Sequence, residues 1–154
     1  SKYSGEPLCE MYYYLYGLKT VMFRYFNVYG EGCHKSGQYA PVMSIFKRQQ
    51  ENKEPLTIVE PGYQTRDFVH VSDVVYANIL ATQRDLEEYG QVFNIGTGEG
   101  TEIQTIADLI SDYQITLPQR SGEVMHSTAN IDKVTKSLGW KWSINVIDWI
   151  KKNF

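Results

Sequence analysis

A chain of 154 residues, 42% hydrophobic and 21% charged, is long enough to bury a sizeable core of ordinary soluble character. Its net charge of −3 gives no general attraction for nucleic acid or an anionic membrane, so any anion site must be local. Two cysteines, Cys9 and Cys33, are too few for a disulfide framework, and no metal-ligand spacing, internal repeat or membrane-length apolar run occurs, so the cytoplasm is the expected compartment.

Leu8, Met11, Tyr12 and Leu15 recur at helical spacing, predicting a helix over the first seventeen residues that Gly17 stops. Pro7 would cost about 3 kcal/mol in a helix interior, so the helix is expected to kink or to begin near it. Tyr12, Tyr13, Tyr14 and Tyr16 cover too much of its surface for one-sided packing, which calls for a second layer or a partner helix. Thr20 to Phe26 is β-branched and aromatic and predicts a buried strand, with Asn27 to Gly30 as a turn after it. A long loop, Glu31 to Gln38, precedes a helix from about Pro41 to Asn52. Leu56 to Val59 reads as a short strand and Pro61-Gly62 as a turn.

Gln64 to Asp73, Q-T-R-D-F-V-H-V-S-D, combines a short alternating strand with a helix opened by Ser72 and Asp73 and running to about Arg84. Arg66 stands at the mouth of that strand, where a planar guanidinium suits a phosphate oxygen; a surface ion pair between Arg66 and Asp67 is the alternative. Val92 to Ile95 predicts another strand, and Thr101 with Gln104 predicts a capping box opening a helix through Ser111. Met125 to Thr128 follows as a strand, then helices at Ile131 to Leu138 and from Val146, with Trp140 and Trp142 burying the turn between them. Strands alternating with helices make the chain α/β. Gly96, Gly98 and Gly100 mimic a dinucleotide-binding turn, but the G-x-G-x-G spacing is wrong and a tight strand-to-helix connection accounts for them better.

Several segments together resemble a known family: R-Y-F-N-V-Y-G (Arg24–Gly30), Q-T-R-D-F-V-H-V-S-D, F-N-I-G-T-G (Phe93–Gly98), S-G-E-V-M-H-S-T-A-N, and L-G-W (Leu138–Trp140). Their order and spacing are similar to the extended short-chain dehydrogenase/reductases, and within them to NAD-dependent sugar-nucleotide epimerases of the UDP-glucose/UDP-galactose 4-epimerase type. Ser1-Lys2 matches the end of the family's Y-x-x-x-K motif. The resemblance therefore implies a C-terminal half, whose missing N-terminal half would hold the tyrosine base and the glycine-rich NAD turn. It further implies that residues 1–35 are the tail of the NAD-binding Rossmann domain and 36–154 the substrate-binding domain, with 92–111 returning to the Rossmann sheet.

In such enzymes a hydride passes from a sugar carbon to NAD, the keto-sugar turns over, and the hydride returns to the other face. A tyrosinate serves as base, its pKa lowered by a neighbouring ammonium. The resemblance assigns that ammonium, which also meets the nicotinamide ribose, to Lys2, and backbone beside the nicotinamide to Tyr25, Phe26 and Val28. Substrate contacts fall on Asn27, on Arg66 and Arg120 for the pyrophosphate, on Glu123 for the nucleotide ribose, and on Val42 and Thr57 beside the base. Ser127 matches the wall of the hexose pocket, where a small residue makes room for an N-acetyl group. Two departures stand out: Val59-Glu60-Pro61 replaces an aromatic-Gly-Asp, and Asn130 a frequent aspartate. The implied substrate is a nucleotide-sugar, UDP-linked by preference, and the implied assembly a homodimer through the helix over 3–16. A 4,6-dehydratase or decarboxylase on the same fold is the alternative, as is a non-catalytic nucleotide-sugar-binding fragment.

Overall fold

In the computed structural model, which describes residues 2–33 and 40–154 apart from the Lys2 side chain, the chain opens with a short 3-10 turn, Lys2–Ser4. Helix α1 (Gly5–Tyr16) follows, and Pro7 sits in its first turn, where a main-chain N–H would have no helical partner anyway. Gly17, in the left-handed region at φ 67°, closes the helix by donating its N–H to the Tyr13 carbonyl at 2.9 Å. None of the α1 residues is buried. The loop expected at Glu31 to Gln38, and the boundary between residues 35 and 36, fall partly outside the described residues.

Strand β1 (Val21–Tyr25) is half-exposed rather than buried, because among the described residues only one of its edges is paired, with β6 (Gln91–Ile95) in parallel register. The turn expected at Asn27 to Gly30 is instead a second strand, β2 (Asn27–Tyr29). At Phe26 the chain crosses from one neighbour to the next: Phe26 N–H donates to Ile95, and Asn27 N–H to Asp67. From there β2 runs parallel to β5 (Phe68–His70). Helix α2 (Val42–Glu51) and strand β3 (Leu56–Val59) match the pattern, and β3 pairs in parallel with β8 (Gln114–Leu117). Strand β8 lacked a sequence signal: it is a four-residue edge with Ile115 exposed, and its partner lies far away along the chain. A small sheet joins β4 (Thr65–Arg66) to β7 (Thr101–Glu102) and β9 (His126–Ser127).

Helix α3 (Val71–Gln83) begins one residue before Ser72, capped by His70, whose Nδ1 accepts the Ser72 N–H at 3.2 Å. Helix α4 (Ile103–Ile110) has no capping box. Thr101 is drawn into pairing with Arg66, and the first free N–H groups of the helix, on Ile103 and Gln104, go to the carbonyls of Gln64 and Gly62. The Gln104 side chain donates instead to Asp108 and Gln114. Helices α5 (Asp132–Leu138) and α6 (Val146–Asn153) complete the α/β order.

Two hydrophobic cores result. Successive β5 side chains point to opposite faces, so Phe68 joins Phe46, Leu56, Ile106 and Ile150 in the first core, while Val69 joins Phe93, Ile95, Leu138 and Trp140 in the second. Buried Asp73 braces the seam: its carboxylate accepts from Ser143 and Ile144, and its carbonyl accepts the Trp140 indole N–H at 2.9 Å.

Candidate functional site

Five of the residues singled out in the sequence meet at one place. Asn27, Arg66, Arg120, Glu123 and Ser127 line an open depression of about 400 Å³, together with the turn at 121–124. They arrive from different directions. Asn27 opens β2, Arg66 lies on β4, and Ser127 sits opposite Arg66 in the parallel β4–β9 register. Arg120 and Glu123 flank a turn closed by the Glu123 N–H on the Arg120 carbonyl at 3.2 Å, in which Gly122 takes a φ of 77°. A left-handed position of that kind favours glycine.

Two guanidiniums and one carboxylate set the charge of the depression. The Arg66 guanidinium donates to the Thr65 carbonyl at 2.9 Å and forms a mostly buried ion pair with Glu123. Its remaining N–H groups, with the exposed Arg120 beside it, can serve a diphosphate, because a fork offers more donors than these two contacts consume. Glu123, held at the rim, can accept from a diol. The expected alternative, an Arg66–Asp67 surface pair, is not what forms: Asp67 is fully buried and Arg66 turns to Glu123.

Asp67 explains the glycine run. Its Oδ1 accepts from the Thr97 N–H at 2.6 Å and the Thr97 hydroxyl at 2.8 Å, and its Oδ2 accepts from the N–H groups of Gly98 at 2.9 Å and Ala129 at 3.0 Å. The 96–98 turn is thus an anion nest filled by the protein's own carboxylate, which leaves no vacancy there for a dinucleotide phosphate. Sequence reasoning missed this role. The available signal was a run of main-chain donors around two glycines, which needs an acceptor, and an aspartate flanking an apolar strand.

The other candidates lie elsewhere. Val42 is half-buried at the start of α2 against the first core, and Thr57 on β3 is tied at both N–H and hydroxyl to the Gln49 side chain. Tyr25 places its hydroxyl 3.0 Å from the Asn78 amide nitrogen, Phe26 spends its N–H on Ile95, and Val28 packs on the second core. The Lys2 side chain lies outside the described residues. Among the described residues no group of acidic, histidine or cysteine side chains could hold a metal ion. No helix among them is long and apolar enough to cross a membrane.

Comparison with known proteins gives the family. A putative UDP-glucose 4-epimerase of Methanocaldococcus jannaschii is 38% identical over 167 residues, covering 99% of this chain and 52% of that relative. A UDP-N-acetyl-alpha-D-glucosaminuronate decarboxylase of Bacillus cytotoxicus is 37% identical over 121 residues, covering 79% of this chain and 35% of that relative. The crystal structure of UDP-glucose 4-epimerase from Thermotoga maritima with UDP-glucose superposes with a TM-score of 0.88 at 35% identity, covering 97% of this chain and 49% of that one. The chain spans about half the length of curated relatives that it matches over 99% of its own residues. The model of the NAD dependent epimerase/dehydratase family matches residues 1–96. This chain belongs to the NAD dependent epimerase/dehydratase family.

Proposed function

We propose that the chain is the sugar-nucleotide-binding portion of a longer NAD-dependent NDP-sugar 4-epimerase. One observation carries the reading: two arginines, a glutamate, an asparagine and a serine from separate segments converge on a single depression. Arg66 and Arg120 neutralise the diphosphate, which offsets its desolvation. Glu123 accepts from the nucleotide ribose, Asn27 orients the sugar with an amide that both donates and accepts, and Ser127 forms the small wall that admits an N-acetylhexosamine. In this reading Val42 and Thr57 lie toward the base, and Lys2, Tyr25, Phe26 and Val28 toward the nicotinamide. Residues 1–35 and 92–111 belong with a nucleotide-binding sheet whose other strands come from a missing N-terminal half, and 36–154 otherwise form the substrate-binding part.

NAD, when bound, accepts the hydride and gives it back. Among the described residues, the glycine turn at 96–98 that follows a strand is filled by Asp67, which leaves no cradle there for the dinucleotide phosphates. No epimerase activity is therefore expected of the 154 residues alone. The unburied face of α1 suits a homodimer contact, and the composition suits the cytoplasm. A decarboxylase or 4,6-dehydratase is the second reading, favoured by the decarboxylase relative, which is 37% identical.

Calorimetric titration with UDP tests the site. The chain should bind UDP, and Arg66→Ala or Arg120→Ala should raise the dissociation constant by roughly one to two decades, as loss of a charged hydrogen bond to phosphate does. Unchanged affinity in both variants would make these arginines structural and end the reading. In the complete enzyme, Ser127→Tyr should remove turnover of UDP-N-acetylhexosamines and spare the plain hexoses; equal turnover of both would take Ser127 off the pocket wall.

A further inference from the structure

Asp67 touches each arm of the depression without lining it. Its main-chain carbonyl accepts the N–H of Asn27 at 2.9 Å. It directly follows Arg66 in the chain. Its Oδ2 holds the N–H of Ala129, two residues beyond Ser127, and thereby the strand that pairs with β4. Nothing slack separates these parts. A Cβ added at Gly96 would stand 2.6 Å from the Ala129 Cβ and 2.7 Å from Asp67 Oδ2, so loop, carboxylate and arm are already in closest contact. Three main-chain N–H groups and a hydroxyl on one buried carboxylate satisfy both of its oxygens, Oδ1 taking both donors of Thr97 and Oδ2 those of Gly98 and Ala129.

We propose that Asp67 is the positioning residue of the pocket: its carboxylate sets the distance at which the arm carrying Glu123 and Ser127 stands from Asn27 and Arg66, while touching no ligand itself. An amide cannot replace it. With its oxygen toward Thr97, the NH₂ of asparagine faces the N–H groups of Gly98 and Ala129, donor against donor. Turned over, it faces the N–H of Thr97. Either way a main-chain donor is left unpaired in a buried place; the first placement frees the arm at Ala129, whereas the second keeps that tie and frees only the Thr97 turn. Asp73 provides the internal control, since it is an equally buried carboxylate that collects donors from Ser143 and Ile144, residues that do not line the depression.

The test compares Asp67→Ala, which removes every tie of the carboxylate, with Asp73→Ala in the 154-residue chain. Hydrogen–deuterium exchange is followed over 24–30 and 120–130, and UDP binding is measured by calorimetry. Both variants should lower Tm. Asp67→Ala alone should speed exchange over 120–130 in the still-folded chain beyond what the shared loss of stability causes, because its tie to Ala129 is cut, and should raise the UDP dissociation constant about tenfold. Faster exchange of that arm in both variants, or in neither, would reduce Asp67 to an ordinary stabilising residue and overturn the proposal. The UDP readout rests on the nucleotide-sugar reading, whereas the exchange readout does not. A wild-type chain that takes no UDP would defeat that reading while leaving the exchange comparison to decide the role of Asp67. Should Asp67→Ala fail to fold, Thr97→Val removes one hydroxyl that donates to Asp67 and accepts the Glu99 N–H, and should move 120–130 in the same direction by less; no change there would also overturn the proposal.

Discussion

Helices α4 and α1 both carry dense apolar side chains, and they use them oppositely. In its eight residues α4 buries Ile103, Ile106, Ala107 and Ile110 in the first core. In its twelve, α1 buries none: Leu8 is 55% exposed, Leu15 64% and Tyr16 71%. The apolar face of α4 is answered within these residues, and that of α1 is not. Exposed apolar side chains gathered on one helix are where a partner surface could dock. The same contrast separates β6, buried at Phe93 and Ile95, from its partner β1, which leaves Tyr25 exposed.

The largest effect that sharpens this contrast is expected at Ile106, which is fully buried. Ile106→Ala should cost about 2–5 kcal/mol in urea denaturation, the usual cavity loss in a packed core. A loss below that range would mean that α4 is no more anchored than α1, and the contrast would collapse. Next comes the α1 face. Leu15→Ser combined with Tyr16→Ser should leave monomer stability within about 0.5 kcal/mol, yet shift sedimentation toward the monomer if two copies meet there. A stability loss of core size would show that α1 is held internally after all.

The smallest effect concerns the clasp between the two regions. Arg24 on β1 donates to both carboxylate oxygens of Glu6 on α1, at 2.7 and 2.6 Å, and this contact holds the Glu6 carboxyl below its ordinary value of 4.5 while raising Arg24. A group with a depressed folded value contributes above its unfolded value and loses that contribution as pH falls through the folded one. The clasp should therefore contribute fully above pH 4.5 and open only as the pH falls through the lower, folded value. Carbon-detected titration of Glu6 should show a depressed midpoint that returns to the ordinary one in Arg24→Gln. An unshifted wild-type midpoint would remove the clasp.

What could be read from the sequence divides along physical lines. Helices with regular periodicity, α2, α3, α5 and α6, were legible because local spacing is itself the cause of the buried face. Strands β2 and β8 were not, since three or four residues become a strand only when a distant partner supplies the other half of each hydrogen bond. The same holds at Thr101, where pairing with Arg66 outcompeted a cap that the local pattern favoured. Among site residues, Arg66, Arg120 and Glu123 were found through motif resemblance, and the depression joins them. The alternative of an Arg66–Asp67 pair fails, because adjacency in sequence gave no hint that the two side chains leave the strand toward different surroundings.

The burial of Trp140 has a spectroscopic consequence. Its indole is fully enclosed in the second core, while Trp149 rests against the first and Trp142 is half-buried on the second. Native emission should thus contain a blue component from Trp140 that red-shifts when the second core opens. Replacing Trp149 by phenylalanine would confine the signal to that core. Urea curves from this fluorescence and from far-ultraviolet dichroism would then either coincide, showing one cooperative unit, or part, showing that the two cores melt as separate bodies.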